Sequence, residues 1–559
     1  MKKRSDRVVG LYNRHDGGYC VLEDGIVREH IEIERYTRLK EDGGDSLQYL
    51  KDGYLSKNSL TIADVDAWVA PCPDTSLESG VNKKYDTHQH IAKSDIHFYS
   101  HHLCHASHAF FSSNFDDSYV FTIDSAGMED DGRSVSTCGY IASGNDIRKI
   151  FDIPNDAFSL GNLWGRMTRF VFKLSAGYPR GHQAGSVMAM AALGDPNKYY
   201  DDVLKLATTH FQSVKQAPPG YKRGIYVPPE EDVIHPTLYP YKKIAEDDEK
   251  EKFNLAASLQ KVSEDLTFDL IKQFILLASD AGFTSKNICF AGGVSLNSVM
   301  MGKILKNFPQ LTNCFIPPVP YDGGLSIGAS QYHWYSVLRK PRKKVYVSPY
   351  LGEKYSLKHV EEAIDRKILD VSRNITLQDC VNLLIDQKIV SVFSGRSESG
   401  RRALGNRSIL ADPRSPLMKD TINEKVKHRQ WYRPFAPTIL EEQGSDWFEG
   451  FFPSPYMGFV FKFKKDKLGL TPAVEHFDKT ARVQSVSREQ NSYYHELIDL
   501  FFKETGIPLL LNTSFNDREP ICETPQHAVD CFLGTDIDYL YFAEHQILVS
   551  KKSSKSIDK

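Results

Sequence analysis

"RVVGLYNRHDGGYCVLEDGIVREHIEIE" (residues 7–34) and "SYVFTIDSAGMEDDGRSVSTCGYIASGNDIRKIFDI" (residues 118–153) repeat one plan. Each has an apolar run, a turn carrying an acidic residue and glycine, a second run, a second turn at "EDG" or "SGND", and a third run. Each therefore predicts a three-stranded meander. Two such meanders point to an internal duplication, with a nucleotide cleft between similar lobes. Chance recurrence of a common β-meander is the alternative, and the pattern alone leaves both open.

Outward from the meanders, residues 253–281 carry apolar side chains at helical spacing and predict a long helix with one buried face. "NICFAGGVSLNSVMMGKIL" then reads as strand, glycine turn, helix, where backbone N–H groups and the helix dipole favour an anion, although a tight turn explains it equally well. Residues 198–253 are rich in Pro, Tyr and charge, which predicts an exposed insertion. The shift to "LRKPRKKVYVSPYLG" sets a boundary near 340–348, with domains at 1–342 and 349–548. The polar end, 549–559, reads as a disordered tail.

With 559 residues and 41% hydrophobic content, the chain exceeds what one core usually holds. A net charge of −3 and a pI near 6.7 give no basic field for a phosphate backbone. "MKKRSDR" is followed by no continuous apolar stretch, and no segment reads as a membrane span. Nine dispersed cysteines without a C-x-x-C read as reduced thiols of a cytoplasmic protein.

"SDIHFYSHHLCHASHAFF" (94–111) predicts a helix from about Ser100, with that serine as N-cap. On it His101 and His105 are i and i+4 and share a face, His102 and Cys104 point elsewhere, and His108 is near the same face. Two imidazoles are half a metal site, so an oxygen ligand must come from distant sequence. Asp322 in "PPVPYDGGLSIGAS" and Asp124 in "FTIDSAG" are the candidates. Histidine and carboxylate suit iron(II), zinc or manganese and leave positions open for a phosphate. Histidines that merely pack are the other reading.

The order "HHLCHA", "TIDSAG", "AGGVSLN", "YDGGLSIGA" resembles the metal- and ATP-binding domain shared with the universal tRNA threonylcarbamoyl transferase. "SGRSESGRRALGNRSILADPR", "INEKVKHRQWYRPFAP", "DKTARVQSV" and "PLLLNTSFN" follow. Together they resemble the O-carbamoyltransferase family of antibiotic and nodulation-factor biosynthesis, from about Val8 to Phe542. The resemblance implies an α/β fold: a duplicated actin-like (ASKHA) N-terminal domain and a YrdC-like C-terminal domain similar to threonylcarbamoyl-adenylate synthase.

It also implies a two-step reaction. The second domain makes carbamoyl adenylate from carbamoyl phosphate and ATP with release of pyrophosphate, and the first transfers the carbamoyl group to an acceptor hydroxyl. Arg396, Arg402, Arg407, Lys427, Arg429, Arg433 and Arg482 crowd the four motifs, with Asn406, Asn512, Thr513 and Ser514 as neutral partners; arginine's rigid fork suits a phosphate. In the first domain the resemblance puts iron(II) or another divalent metal on His101, His105 and Asp322, with Asp124 beside it and Mg2+ possible with ATP. It puts Gly292, Gly293 and Asn297 around the nucleotide, and Gly323 and Gly324 where backbone approaches its phosphates. An alcohol needs a proton acceptor as it attacks, and His15 and Asp16 at the first meander's turn are the candidates; a local turn hydrogen bond is the plainer role. "EIERYTRLK" resembles the family's E-E-R-x-x-R-x-K segment and places Lys40 at the substrate mouth, with Ile33 in place of the first glutamate.

Ala184 and Ser186 stand where the family has an acid and a lysine, Ser399 and Arg401 where it has an aromatic and a proline, and a glycine is missing before Glu519. A tRNA-modifying fusion would need a basic field, a hydrogenase-maturation enzyme C-x-x-C pairs, and an actin-like scaffold would not need the arginines. The acceptor is expected to be a small molecule, sugar or modified nucleobase, with nucleic acid a partner only through a hydroxymethylated base, and a homodimer is a reasonable assembly.

Overall fold

The computed structural model describes residues 5–72, 95–174, 183–209, 236–344, 346–365 and 369–552. Both meanders form: β1 (Arg7–Tyr12), β2 (Gly18–Glu23) and β3 (Ile26–Glu32), then, after β4 (Ala67–Pro71) and β5 (Ile96–Tyr99), β6 (Asp117–Met128), β7 (Ser134–Ser143) and β8 (Asp146–Pro154). With β9 (Asn287–Ala291) and β10 (Asn313–Phe315) these make two five-stranded sheets. Their orders are β3-β2-β1-β4-β5 and β8-β7-β6-β9-β10. In each, the meander strands are antiparallel and the next two add in parallel to its first strand. The two sheets thus share strand order and direction.

Between them lie two helices, His101–Ser112 and Leu325–Tyr332. Cys104, Ala106 and Phe110 of one, and Leu325 and Ala329 of the other, form one apolar cluster with Val8, Leu22 and Val69 of the first sheet and Val120, Val135 and Cys138 of the second. The small residues of "GGLSIGAS" make this possible. A Cβ on Gly328 would fall 1.8 Å from the Cys104 carbonyl oxygen, and one on Gly10 of β1 would fall 2.0 Å from that of Ser326. Helix meets helix, and strand meets helix, through backbone.

The expected long helix is Glu249–Asp280, with Asp248 capping its first N–H groups. Its Phe274 packs on Tyr119 and Phe121 of β6. The 198–253 insertion differs from expectation. Tyr200–Thr209 and Tyr239–Asp247 are helices, because Val203, Leu206, Ala207 and Ala245 bury an apolar face inside the charged sequence. Residues 210–235 fall outside the described residues. Ser100 occupies the N-cap position, but its Oγ accepts from Asp130 N instead of capping.

The chain divides into two compact units, 1–347 and 348–559. The first keeps its basic end because Arg342 donates to the carbonyls of Phe110, Ser113 and Phe115 with its guanidinium over the Phe110 ring. The second unit is a mixed ten-stranded sheet among the described residues. Its strands are β11 (Leu369–Arg373), β12 (Val390–Phe393), β13 (Arg407–Ala411), β14 (Ala436–Leu440), β15 (Phe448–Glu449), β16 (Phe459–Phe463), β17 (Thr480–Val486), β18 (Leu509–Ser514), β19 (Tyr539–Phe542) and β20 (Ile547–Lys551). The order is β11-β20-β19-β12-β13-β18-β14-β17-β16-β15. Residues 549–551, expected in the tail, belong to β20 and pair with β11; 553–559 lie outside the described residues. No described helix is long and apolar enough to cross a membrane.

Gly328→Val should drive the two central helices apart and cost about 1–3 kcal/mol or more of stability, as overpacking does. Chemical denaturation of the full chain measures it, and an unchanged midpoint would contradict the backbone contact.

Candidate active site

The helix that begins at His101 brings His101 and His105 to one face, one turn apart, both buried. Asp322 faces them from the turn before the Leu325–Tyr332 helix, and Asp124 from within β6. Nε2 of His105 lies 3.4 Å from Asp322 Oδ1 and 3.4 Å from Asp124 Oδ2, and His101 Nε2 lies 3.6 Å from Asp322 Oδ1. One ligand atom from each of the four residues lies within 4.8 Å of every other. The side-chain nitrogens His101 Nε2 and His105 Nε2 are buried without a good hydrogen bond in the protein.

The charges describe the same site. Burial holds His101 neutral, down to about 4, and the His105 charge reinforces this. Burial disfavours a charged His105 too, yet the carboxylates of Asp124 and Asp322 outweigh it and lift His105 to about 9. Burial would raise Asp322, but His101 and His105 hold it well below the usual carboxylate range. The pocket therefore stabilises positive charge between two carboxylates, and two imidazoles with two carboxylates are a donor set that fits a divalent transition metal. The remaining histidines of the run have other partners. His102 Nε2 donates to Val135 O and its Nδ1 accepts from Thr122 Oγ1. His108 Nδ1 bonds Ser112 Oγ, outside the four-residue group.

His15 and Asp16 come to this site. His15 Nδ1 is 3.1 Å from Asp16 Oδ2 and its Nε2 is 3.4 Å from Asp322 Oδ2. Asp16 is buried with φ at 59°, a left-handed conformation that Asp tolerates better than most residues. The His15 side chain is 40% exposed, whereas those of His101, His105 and Asp322 are 8% or less, so His15 marks the open side. Backbone bonds from Asp16 N to Glu41 O and Gly17 N to Asp42 O lay the segment after Lys40 beside it. Tyr12, which the sequence reading missed, donates to Asp322 Oδ2 at 2.9 Å, and burial, with the Asp322 charge adding, keeps its phenol protonated. Its only signal in sequence is its place at the end of β1.

The glycine segments divide. Gly293 N donates to Asp124 Oδ2 at 2.7 Å, so the "AGGVSLN" turn adjoins the cluster, and Gly292, with φ at 90°, donates to Pro320 O. Asn297 instead caps the next helix and exchanges hydrogen bonds with Gln260. A Cβ on Gly323 or Gly324 would meet Glu32, Val319 or His108, so their close approach is to protein.

In the second unit the seven cations also divide. Arg402 precedes β13, Arg429 and Arg433 precede β14, and Arg482 lies in β17. These strands are close neighbours in the sheet, and Gln484 and Asn512 hold the Arg402 loop by donating to Leu404 O and Ala403 O. Burial, then the Arg433 and Arg482 charges, holds Arg429 well below the usual arginine range; burial, then Arg402 and Arg433, does the same to Arg482. Arg482 Nε is buried with no protein hydrogen bond. Such a group disfavours its own charge and is stabilised by a bound anion.

Arg429 also donates to Asn423 Oδ1 and Pro434 O, and the other three cations are likewise held by protein oxygens. Arg396 donates to Leu351 O and Gly352 O. Arg407 is fully buried on the carbonyls of Ser394, Gly395 and Asn406, 3.5 Å from the Phe393 ring centre. Lys427 Nζ donates to Ser514 O, Asn516 O and Asn516 Oδ1. Ser514 Oγ bonds Asn516 Oδ1, Asn406 bonds Arg396 O and Asn491, and Thr513 sits in β18 opposite Ile409. Glu398, also missed in sequence, accepts from the N–H groups of Leu404, Asn406 and Arg407 and so shapes the loop that carries Arg402.

His105→Ala and Asp322→Asn should each weaken divalent-metal binding by more than the roughly 10–100-fold that loss of an outer partner costs, while His102→Ala leaves it unchanged. Equilibrium dialysis with metal analysis separates these outcomes; equal losses in all three variants would contradict the assignment.

Comparison with known proteins follows the same two-part plan. The profile described as Carbamoyltransferase N-terminus matches residues 81–331, and Carbamoyltransferase C-terminus matches residues 381–551. Nodulation protein NolNO of Sinorhizobium fredii (strain NBRC 101917 / NGR234) is 31% identical over 97% of this chain and 80% of its own. Nodulation protein NolO of Bradyrhizobium diazoefficiens is 33% identical over 79% of this chain and 77% of its own. Among solved structures, full-length HypF in its phosphate- and nucleotide-bound form aligns at 14% identity and a TM-score of 0.33, covering 59% of this chain and 56% of that one. With both halves matched in order and relatives of this identity along most of its length, the chain belongs to the carbamoyltransferase family and is a carbamoyltransferase enzyme.

Proposed function

We propose that the chain is an ATP-dependent O-carbamoyltransferase whose two units perform successive half-reactions. The C-terminal unit converts carbamoyl phosphate and ATP to carbamoyl adenylate. Balance requires that carbamoyl phosphate first lose phosphate to water, giving carbamate. A carbamate oxygen then attacks the α-phosphorus of ATP, and the bond to pyrophosphate breaks. Arg402, Arg429, Arg433 and Arg482 would hold the anionic oxygens as charge builds on the departing pyrophosphate. The observation that supports this reading is the burial of Arg429, Arg433 and Arg482 around neighbouring strands, with the Arg433 charge acting on the other two, which a shared polyanion would offset.

In the N-terminal unit, read as a duplicated actin-like fold from its two matching sheets, an acceptor hydroxyl attacks the carbamoyl carbon and the bond to the AMP oxygen breaks. His15 takes the hydroxyl proton at one imidazole nitrogen while Asp16 orients the ring through Nδ1. Tyr12 fixes the Asp322 carboxylate. His101, His105, Asp124 and Asp322 would hold iron(II) or a related divalent ion, which supplies Lewis-acid stabilisation of phosphate charge when bound. The Gly292–Gly293 turn, tied to Asp124, lies where the nucleotide would be received. The exposed side of His15 and the segment after Lys40 are where acceptor specificity would reside, for a sugar, a small molecule or a hydroxymethylated base.

Arg433→Ala should cut pyrophosphate release by at least about 100-fold, the scale of losing one donor to a developing anion. His105→Ala should leave that release intact and abolish carbamoyl transfer to the acceptor. If both variants failed at the same step, the division between units would be wrong.

A further inference from the structure

We propose that Glu519, Cys522 and Cys531 form a second metal site, for a thiophilic divalent cation such as zinc(II), in the C-terminal unit. One ligand atom from each lies within 4.8 Å of the other two. Cys522 is fully buried on the chain that follows β18, and Cys531 is 8% exposed on the Pro525–Gly534 helix. The Glu519 carboxylate is fixed at the preceding turn by the N–H groups of Asp517 and Arg518, at 3.2 and 3.1 Å. Zinc–thiolate bonds of about 2.3 Å in a tetrahedral site put two sulfurs about 3.8 Å apart, so side-chain rotation closes the three atoms onto one ion. Cys522 Sγ donates to the His527 carbonyl at 3.3 Å and also meets the Cys531 thiol, both weak bonds to give up.

The chemistry differs from that of the histidine and aspartate site in the other unit, which contains no sulfur and suits a harder ion. Binding replaces two thiol protons, which leave to solvent, so two thiolates and one carboxylate face a 2+ ion. One negative charge remains. Lys427 offsets it: its ammonium is held 2.6 Å from Asn516 O and its charge acts on Cys531. Three protein ligands leave the fourth position to water. The ion would join the Ser514–Glu519 turn, which seats Lys427, to the Pro525–Gly534 helix.

Cobalt(II) titration of the full-length reduced protein tests this, because only a thiolate site gives a near-ultraviolet sulfur-to-cobalt charge-transfer band. The expected band saturates at one equivalent, survives His105→Ala, and disappears in Cys522→Ser and Cys531→Ser. Glu519→Gln, which keeps both thiols, should retain the band with at least about tenfold weaker affinity. Absence of the band in the wild type, or unchanged affinity in Glu519→Gln, would overturn the three-ligand site. So would a thiol count in unreduced, denatured protein two short of the nine free thiols, since a disulfide would then occupy both sulfurs.

Discussion

The backbone contact at Gly328 sets the rest of the N-terminal unit. Because the Leu325–Tyr332 helix has no side chain there, the Cys104 carbonyl of the His101–Ser112 helix can lie against it. That spacing puts His101 and His105, on one helix, opposite Asp322, at the head of the other. The same small-residue helix presents the Ser326 carbonyl to Gly10 of β1, and β1 ends at Tyr12, just before His15 and Asp16. His15 and Asp16 and the group of His101, His105, Asp124 and Asp322 are therefore positioned by one element, and a larger side chain at Gly328 or Gly10 would disturb both.

The two candidate sites have opposite electrostatic character. In the N-terminal unit two buried carboxylates gather positive charge, enough to lift His105 to about 9 against its burial. In the C-terminal unit burial, and then neighbouring guanidinium charges, hold Arg429 and Arg482 well below the usual arginine range. The first pattern is complementary to a cation and the second to an anion. The proposed reaction, which activates carbamate with ATP and then transfers the carbamoyl group from a nucleotide, would use both.

Much of this was legible in sequence. Apolar runs broken by glycine-bearing turns gave both meanders, because their first two strands are buried along nearly their whole length. Helical spacing of His101 and His105 gave half of a group that could hold a metal, and the oxygen candidates named from their turns are the two carboxylates beside them. Other features were hidden by physics that a linear reading does not carry. Charge masked the buried faces of the helices at Tyr200–Thr209 and Tyr239–Asp247. The density of cations in the second half was plain, but which of them bond carbonyls depends on loop shape. Arg396, Arg407, Lys427 and, in part, Arg429 do so, while Arg429, Arg433 and Arg482 also gather because β14 and β17 are neighbours. Tyr12 and Asp322 are joined by a hydrogen bond across most of the N-terminal unit's sequence.

Pyrophosphate release from ATP by the purified wild-type chain, with carbamoyl phosphate supplied and every hydroxyl acceptor left out, tests the central claim most directly. Release should depend on carbamoyl phosphate and be accompanied by free phosphate. ATP left intact under these conditions, with ATP and carbamoyl phosphate both shown to bind, would contradict a first half-reaction that stands on its own.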